Sequence, residues 1–476
     1  MDVMDEKMNG TGNETADNLK YDKADDTADK TDDTADGWQK ATGSMAEGNR
    51  QQVSLVGIGM GAAGTLTEEA RRVISECDCL IGAGRMLEAV CANKSADKSD
   101  VQKCGLKPLA KEEENHGTGA REQAIYCAYE PERIREILTA HPEYRKTAVL
   151  YSGDIGFYSG ARELRRVLAD RCEVKGIPGI SSVVYLAARL GISWEDARLT
   201  SIHGRNRPYI HILARHRKTF LLFGGNGLAE EFCSRIREYG LTGLRIWIGR
   251  NLSYKEESIV CRTGADIQPE DLKGLSALYV ENPSPLLQGV QIRDDAFIRG
   301  NVPMTKEEVR FVSLASLALS GECVFYDIGA GTGSIAVTAA ALHENAQVYA
   351  VERKAEAVEL IRQNKRKFCV DQLEIIEGTA PEALQDLKPP THVFIGGSSG
   401  NLEGILKCIR EKNPSAKVVL NAITLETVKE VLLAEEKGLL REVEIIQAGF
   451  SRAKKTAGYH MMTAQNPIYI ITAGMA

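Results

Sequence analysis

The spacing of glycines after a short apolar run is the feature that most constrains the fold, and it lies at residues 324–334 (VFYDIGAGTGS). The apolar run from Val324 to Ile328 predicts a buried strand. Gly329, Gly331 and Gly333 then permit a sharp turn, and residues 334–342 have the composition of a helix. In a strand–turn–helix unit, backbone N–H groups at the start of the helix can face a ligand. The stretch therefore predicts an α/β unit with a ligand site at the carboxyl end of its first strand.

The details of this turn indicate which ligand it suits. Ser334 stands where a dinucleotide fingerprint has its third glycine, so no pyrophosphate need be approached. A second predicted strand, 347–351, ends in Glu352, which is placed to accept hydrogen bonds from ribose hydroxyls. An adenosine-type ligand without a diphosphate fits both features, and S-adenosylmethionine (SAM) fits best. The alternative is a glycine-rich turn that serves packing alone.

Residues 301–476 as a whole predict seven strands with helices between them. This is the doubly wound, Rossmann-like layout of class I SAM methyltransferases, with the last two strands expected to pair as a hairpin. The strands are expected near 324–328, 347–351, 373–376, 392–396, 417–420, 442–447 and 468–472.

The chain before this unit divides into three further parts. Strand and helix patterns alternate from residue 52 to residue 190, which predicts a parallel sheet, whereas the stretch from residue 201 to residue 285 has a more mixed pattern. We therefore expect a first domain at 51–285 with a surface insertion at 93–119, a linker at 286–300 and a second domain at 301–476. Residues 1–50 are polar and predict a disordered acidic tail.

Charge and cysteine content limit the class of protein. The tail has an excess of seven acidic residues, which equals the net charge of −7 of the whole chain, so the remainder is balanced and no nucleic-acid partner is expected. No apolar run is long enough to cross a bilayer, so no membrane partner is expected either. The eleven cysteines form no CxxC pairs, which favours the reducing cytoplasm and gives no metal site.

Short motifs in the first domain resemble those of the tetrapyrrole methylases, the class III SAM methyltransferases. The resemblance rests on 56–61 (VGIGMG), 152–154 (SGD), 177–182 (IPGISS), 201–205 (SIHGR) and 281–283 (ENP). Two of these motifs, IPGISS and SIHGR, are similar to the CbiE branch of that family. The resemblance implies a two-lobed class III fold with its own SAM site.

The second domain resembles CbiT. The matching stretches are 302–310 (VPMTKEEVR), 327–334 (DIGAGTGS), 378–384 (GTAPEAL), 396–402 (GGSSGNL) and 466–467 (NP). A CbiE-like part followed by a CbiT-like part is similar to the CobL or CbiET type of precorrin-6Y C5,15-methyltransferase (decarboxylating) in cobalamin biosynthesis. The resemblance implies methylation of a tetrapyrrole at meso carbon 5 by the first half. It implies methylation at meso carbon 15, with removal of carbon dioxide from the ring-C acetate, by the second half.

Candidate SAM contacts follow from the motifs in both halves. In the second half we expect the three glycines of the turn to approach the methionine part and Glu352 to hold the ribose. Asp327 is expected to order the loop, or alternatively only to cap the following helix. Gly378, Thr379 and Ala380 are placed for adenine, and the small residues around Gly397 leave room for a flat macrocycle. In the first half, the candidates are Gly59, Gly61, Asp154, Ser181 and Ser182. Asp154 has an equally plausible role in stabilising its own turn.

Candidate substrate residues are fewer. The substrate class carries several carboxylates, and of the arginines only Arg205, Arg310 and Arg452 lie inside the family motifs. His203 is a candidate for moving a proton at carbon 5, although a structural hydrogen bond is the commoner role for such a histidine. Met461 and Met462 are expected in the core. CbiE-like and CbiT-like units resemble oligomers, so we expect a homo-oligomer.

Two other functions remain open from the sequence. In one of them, only the second half is active, and it is a SAM methyltransferase that acts on another acceptor. In the other, the chain is a non-catalytic protein that binds SAM or a tetrapyrrole.

Overall fold

The structure, a computed structural model, describes residues 50–91, 123–202, 207–224, 227–274, 276–289 and 291–476. The expected tail up to residue 49 and the expected insertion at 93–119 lie outside the described residues. Within them, the chain forms three large sheets, two from the first half and one from the second.

The first sheet is entirely parallel, as the alternation of strands and helices predicts. Its strand order is β3-β2-β4-β1-β5. The strands are β1 (Gln51–Gly57), β2 (Cys79–Gly82), β3 (Ala124–Cys127), β4 (Lys146–Tyr151) and β5 (Cys172–Ile177). The helices are α1 (Glu68–Glu76), α2 (Gly84–Cys91), α3 (Pro131–Ala140), α4 (Ala161–Leu168) and α5 (Ser182–Leu190).

The second sheet is mixed, which confirms the expectation for this stretch. Its order is β6-β7-β10-β8-β9, and only the β6–β7 pair is parallel among the described pairs. The strands are β6 (Arg198–Ser201), β7 (Lys218–Phe223), β8 (Arg245–Arg250), β9 (Ser258–Thr263) and β10 (Ser276–Glu281), with helices α6 (Ile210–Arg215) and α7 (Leu228–Glu238). The sequence did not predict β3, β6 or β9, because these strands are only partly buried and lack a long apolar run.

The third sheet has the seven strands expected of the second half. Its order is β13-β12-β11-β14-β15-β19-β16, with β19 antiparallel to both of its neighbours. The strands are β11 (Cys323–Ile328), β12 (Ala346–Glu352), β13 (Leu373–Glu377), β14 (His392–Ile395), β15 (Lys417–Ala422), β16 (Leu440–Ala448) and β19 (Ile468–Met475). The helices are α8 (Glu307–Leu317), α9 (Ser334–Leu342), α10 (Ala355–Lys367), α11 (Leu402–Lys412) and α12 (Leu425–Glu436).

The last two predicted strands, β16 and β19, pair antiparallel as expected, and an additional hairpin lies in the connection between them. Strands β17 (Ser451–Thr456) and β18 (Tyr459–Ala464) pair with each other and project from the end of β16. Met461 and Met462 lie on this hairpin and are 59% and 66% exposed, so the prediction that they belong to the core is wrong. The strands of the hairpin are exposed throughout, and an exposed two-stranded ribbon has no buried face on which a methionine can pack.

Both faces of the third sheet are covered. Successive residues of β11 point to opposite sides, so that Phe325 joins one apolar cluster and Tyr326 the other. A parallel sheet buried on both faces needs near-continuous apolar strands, which is why this part of the sequence was predictable.

The two halves of the chain meet at a buried junction. The Asp371 side chain, fully buried between α10 and β13, accepts hydrogen bonds from the backbone N–H groups of Tyr209, Ile210 and His211 at the start of α6. It also accepts from His211 Nδ1 at 2.6 Å and from Arg235 Nη2 at 2.7 Å. This aspartate of the second half therefore binds two elements of the first half.

Other contacts extend the same junction. Cys369 packs in the apolar core around the second sheet, and Arg215 donates to the carbonyl oxygens of Phe368 and Cys369. The Glu344 carboxylate pairs with both His216 and Arg198. The predicted linker lies beside this junction, but its later part, including Phe297, packs in the core of the second half.

Candidate functional site

The glycine turn after β11 has the backbone conformation that its sequence predicts. Gly329, Gly331 and Gly333 have φ values of +74°, +57° and +73°, in the left-handed region that favours glycine. A Cβ atom at Gly329 would lie 2.8 Å from the carbonyl oxygen of Gly397. The turn therefore packs directly against the 396–397 turn after β14, and there is no room for a side chain at Gly329.

Asp327 lies beneath the turn and is almost completely buried. Its Oδ2 accepts a hydrogen bond from the N–H of Ala336 in the first turn of α9, at 2.9 Å. Its Oδ1 has no hydrogen-bond partner within the described residues. Burial raises the pKa of Asp327 to about 7; the N–H of Ala336 opposes this shift and the charge of Glu352 adds to it. The contact with Ala336 is consistent with both roles predicted for Asp327, which are ordering of the loop and capping of the following helix.

Glu352 lies at the carboxyl end of β12, the strand next to β11. Its Oε2 accepts from the N–H of Gly331 at 2.9 Å, and its Oε1 accepts from the N–H groups of Arg353 and Lys354. The carboxylate is mostly buried and bridges the glycine turn to the start of α10. The structure therefore brings together the glycines and the acid that the sequence spacing had linked.

The 378–380 turn and Gly397 complete the same edge of the sheet. The N–H of Gly378 donates to the carbonyl oxygen of Glu352 at 3.0 Å, which sets this turn beside the acid. Thr379 is exposed, whereas Ala380 is buried. A Cβ at Gly397 would meet no atom within 4 Å, so open space lies in front of this glycine.

This edge fits an adenosine-type ligand. Close packing accounts for the glycines of the turn, but packing alone does not require an unpartnered buried oxygen on Asp327 beside the Glu352 carboxylate. A carboxylate can accept about four hydrogen bonds, and Glu352 accepts three from backbone N–H groups. It therefore has capacity to accept a further hydrogen bond from a hydroxyl group.

A second glycine-lined edge forms where β1, β4 and β5 end in the first half. A Cβ at Gly57 would lie 2.7 Å from the N of Gly179, and a Cβ at Gly179 would lie 2.2 Å from the O of Gly153. Gly59 pairs with Gly153 in an isolated bridge and has a φ of +67°. Three strand exits thus converge with no side chain between them, which brings 57–61, 152–154 and 177–182 together.

The polar candidates at this edge already bind backbone groups. Asp154 accepts from the N–H of Gly156 at 2.8 Å and from the N–H of Gly179 at 3.1 Å. Ser181 is the N-cap of α5 and accepts from the N–H of Val184, while Ser182, the first residue of that helix, is buried. The contacts of Asp154 support its alternative role in stabilising the turn.

Sequence reasoning missed the side of this site that comes from the second sheet. Ser253 Oγ accepts from the N–H of Ala62, and a Cβ at Gly61 would lie 2.1 Å from Tyr254 Oη. Residues 251–254 follow β8 as a turn with positive φ values at Asn251 and Ser253. The signal available was only this short polar turn, which has no distinctive spacing.

The predicted substrate residues fall in different places. Arg310 is fully buried and donates to Asp294 and to the carbonyl oxygens of Thr305 and Ile292. The prediction that it binds a substrate carboxylate is therefore wrong, because its guanidinium holds the 292–305 segment onto α8. Arg452 lies on the hairpin and pairs with Glu307 and Glu308. His203 and Arg205 lie outside the described residues.

The described residues contain neither a candidate membrane span nor a candidate metal site. No helix there is long and apolar enough to cross a membrane. No group of three or more His, Cys, Asp or Glu residues is placed to hold a metal ion in the same part of the chain.

Comparison with known proteins decides the family. A model described as tetrapyrrole (corrin/porphyrin) methylases matches residues 52–268, and a model described as precorrin methyltransferase domain matches residues 295–473. A protein of Sinorhizobium sp. named precorrin-6Y C(5,15)-methyltransferase [decarboxylating] is 28% identical over 83% of this chain and 91% of its own length. A probable cobalt-precorrin-6B C(15)-methyltransferase (decarboxylating) of Pyrobaculum calidifontis is 40% identical over 38% of this chain and 94% of its own length.

The chain belongs to the precorrin-6Y C5,15-methyltransferase (decarboxylating) family. Within this family it is a CbiE–CbiT-type fusion, with a class III half followed by a Rossmann-like half, as the motifs indicated. A crystal structure of precorrin-6y C5,15-methyltransferase from Geobacter metallireducens GS-15 is 38% identical. It covers 39% of this chain and 97% of its own, with a TM-score of 0.37.

Proposed function

We propose that this chain is a bifunctional SAM-dependent methyltransferase of cobalamin biosynthesis. Residues 51–285 methylate precorrin-6Y or its cobalt form at meso carbon 5. Residues 301–476 methylate meso carbon 15 and release carbon dioxide from the ring-C acetate. The observation that carries the proposal is that one chain has two separate glycine-lined strand edges, each within the half that matches its own methylase family.

In the second half, we assign the methionine part of SAM to Gly329, Gly331 and Gly333 and the ribose to Glu352. Gly378, Thr379 and Ala380 border the adenine, and Asp327 orders the turn from below. The open space in front of Gly397 supports its assignment to the macrocycle side of the pocket.

In the first half, we assign a second SAM to the edge formed by Gly59, Gly61, Ser181 and Ser182. Asp154 holds two backbone turns of this edge in register. His203 and Arg205 stay candidates for proton movement and for carboxylate binding. Tyr254 and Ser253 close the edge from the second sheet.

The chemistry asks little covalent work of the protein. SAM supplies, when bound, a methyl group on a positively charged sulfur. The residues of each edge hold that methyl in line with an electron-rich meso carbon and exclude water, so proximity and orientation provide most of the rate enhancement. The conjugated ring can accept the electron pair released when the acetate loses carbon dioxide, which lets one pocket serve both events.

The proposal includes a small-molecule tetrapyrrole as the substrate, no nucleic acid and a homo-oligomer. It also includes a cytoplasmic location, since eleven cysteines without CxxC pairs suit a reducing compartment. We divide the chain into functional domains at 51–285 and 301–476.

Product mass tests the proposal. The purified full chain is incubated with SAM and a reduced precorrin, and the product is weighed. We expect a gain of two methyl groups and a loss of one carbon dioxide. One methyl with decarboxylation would mean that the first half is inactive, and no mass change would reject the enzyme assignment.

Glu352→Ala then separates the two sites. A lost hydrogen-bond acceptor of this kind is worth about 1.5–3 kcal/mol, so SAM affinity at the second half should fall roughly 10- to 100-fold. Methylation at carbon 15 and decarboxylation should fall with it, while methylation at carbon 5 persists. Glu374→Ala, an exposed change in the neighbouring strand β13, is the matched control.

A further inference from the structure

A cavity of about 260 Å³ lies between the segment before α8 and the β17–β18 hairpin. Its lining includes Arg293, Arg299, Lys306 and Arg452 as cations and Asp294 and Glu307 as anions. Neither the assigned SAM contacts nor the glycine turn accounts for such a concentration of charge.

The acidic groups of the cavity are committed to internal partners. Asp294 is buried and binds the guanidinium of Arg310 at 3.1 Å. Glu307 is also buried, and it accepts from the N–H of Asp294 and from Arg452 Nη2. Their carboxylates are therefore paired with Arg310 and Arg452, and Arg452 also pairs with Glu308.

The cations at the mouth are the groups that remain open to a ligand. The side chain of Arg293 is 72% exposed and lies 3.9 Å from Glu307, too far for a hydrogen bond. Lys306 is exposed at the N-cap of α8, and Arg299 is 44% exposed. Asp295 is the one exposed acid of the lining, so the mouth of the cavity carries a net positive charge.

The cavity lies close to the glycine turn. A Cβ at Gly331 would lie 3.2 Å from the carbonyl oxygen of Pro303, so the segment before α8 passes directly over the turn. Lys306 lies three positions after Pro303 in the chain, and three residues of extended chain span at most ~11 Å. A group bound at the mouth is thus within reach of a molecule that reacts in front of the turn.

We propose that Arg293 and Lys306 bind a side-chain carboxylate of the tetrapyrrole and so orient the macrocycle for reaction at the second half. This inference rests on the proposed function and adds the subsite that would select an acidic macrocycle. Arg299 and Arg452 act as positioning residues, because Arg299 Nε donates to the backbone oxygen of Asp294 and Arg452 joins the hairpin to α8.

The test compares Arg293→Ala/Lys306→Ala with Lys175→Ala/Lys429→Ala, which removes the same charge from exposed positions outside the cavity. In the cavity variant, we expect the KM for the macrocycle at carbon 15 to rise about tenfold. The SAM affinity of the second half and the carbon-5 methylation should stay within twofold of the wild type. The control variant should match the wild type in all three measurements.

A second arm uses a substrate whose side-chain carboxylates, other than the ring-C acetate that is lost as carbon dioxide, are methyl esters, and it measures methylation at carbon 15. The wild-type chain should lose about tenfold in kcat/KM with the ester, and the cavity variant should lose much less, since the binding partners are already absent. Equal losses in both proteins would overturn the subsite. A weakened SAM affinity in the cavity variant would also overturn it, because the ligand would then be the carboxylate of SAM.

The two failures can be distinguished. An inactive wild-type chain contradicts the proposed function, whereas an active wild type with an equally active cavity variant contradicts only the subsite. Thermal unfolding of each variant checks that it is folded, and the conservative Arg293→Lys variant should recover part of the affinity.

Discussion

Two buried aspartates of the second half, Asp327 and Asp371, show how the site and the junction differ. Asp327 beneath the glycine turn accepts one backbone hydrogen bond, and its other oxygen has no partner within the described residues. Asp371 at the junction accepts from three backbone N–H groups, from His211 and from Arg235. Both are almost inaccessible to water, so the difference lies in their partners.

Their titration follows from this difference. Burial raises the pKa of Asp327 to about 7. Burial acts on Asp371 in the same direction, but the hydrogen bond and charge of His211, together with the charge of Arg235, outweigh it and hold its pKa well below the usual range. A carboxyl group that is left short of partners belongs to a functional edge, whereas a fully bonded one serves architecture.

The largest expected effect is on the junction. Asp371→Ala leaves Arg235 and three backbone N–H groups without their acceptor, and breaking such a buried pair costs about 3–5 kcal/mol of unfolding free energy. Of the three tryptophans, Trp194 and Trp247 lie in the first half and Trp38 in the predicted tail, so the fluorescence change during urea unfolding does not report on the second half and follows the half that α6 belongs to. We expect a lower urea midpoint for this half.

The control for this prediction is Asp386→Ala, which removes an exposed aspartate of the second half. If Asp371→Ala and Asp386→Ala unfolded alike, the junction would be a passive contact and the comparison would fail.

The next effect is the pH dependence of folding stability, which has opposite signs for Asp327 and Asp371. A raised folded-state pKa means that stability is fully present below about pH 4 and is lost as the pH rises toward 7. The second half should thus lose roughly 3 kcal/mol between these limits because of Asp327. For Asp371 the sign is opposite: its contribution is present above about pH 4 and is lost as the pH falls further.

Asp327→Asn resembles the neutral acid and should flatten the loss at rising pH. Hydrogen exchange of peptides from β11 and β14, measured at pH 5 and pH 8 with correction for the intrinsic exchange rates, follows the stability of the second half. An Asn variant with the same pH dependence as the wild type would show that Asp327 is not the titrating group.

The smallest effect is expected at the edge of the first half. Asp154→Asn keeps one oxygen acceptor for the N–H of Gly156 and loses the second, so stability should fall by only about 1 kcal/mol. Carbon-5 methylation should stay within threefold of the wild type if Asp154 only stabilises its turn. A loss of a hundredfold or more would instead assign the aspartate to SAM, and Asp170→Asn at an exposed position serves as the comparison.

Local signals account for what could be predicted of the fold and the site. The buried strands β1, β4, β11 and β12 are rich in apolar residues, and the turns after β1, β4 and β11 contain glycines at positions with positive φ. The link between Glu352 and the glycine turn also depends on short sequence spacing. Features that depend on residues close together in the chain can therefore be predicted from the sequence.

The missed features depend on contacts between distant parts of the chain. The sequence motifs predicted that Arg310 and Arg452 bind the substrate. In the structure, Arg310 is buried against Asp294 and has a structural role, and Arg452 joins the hairpin to α8. Strands β17 and β18 were missed because an exposed ribbon has no apolar alternation to reveal it.

By itself, the sequence determined the family, the order of the two halves and the position of both glycine edges, because each depends on residues close together in the chain. Only the tertiary structure decided that Asp371 joins the halves, that Tyr254 faces Gly61, and which charges line the cavity before α8. These depend on which side chains meet after folding, over separations of more than a hundred residues at the junction and at Gly61. The partner of a buried charge, and hence its pKa and its role, is set by that meeting and not by its neighbours in sequence.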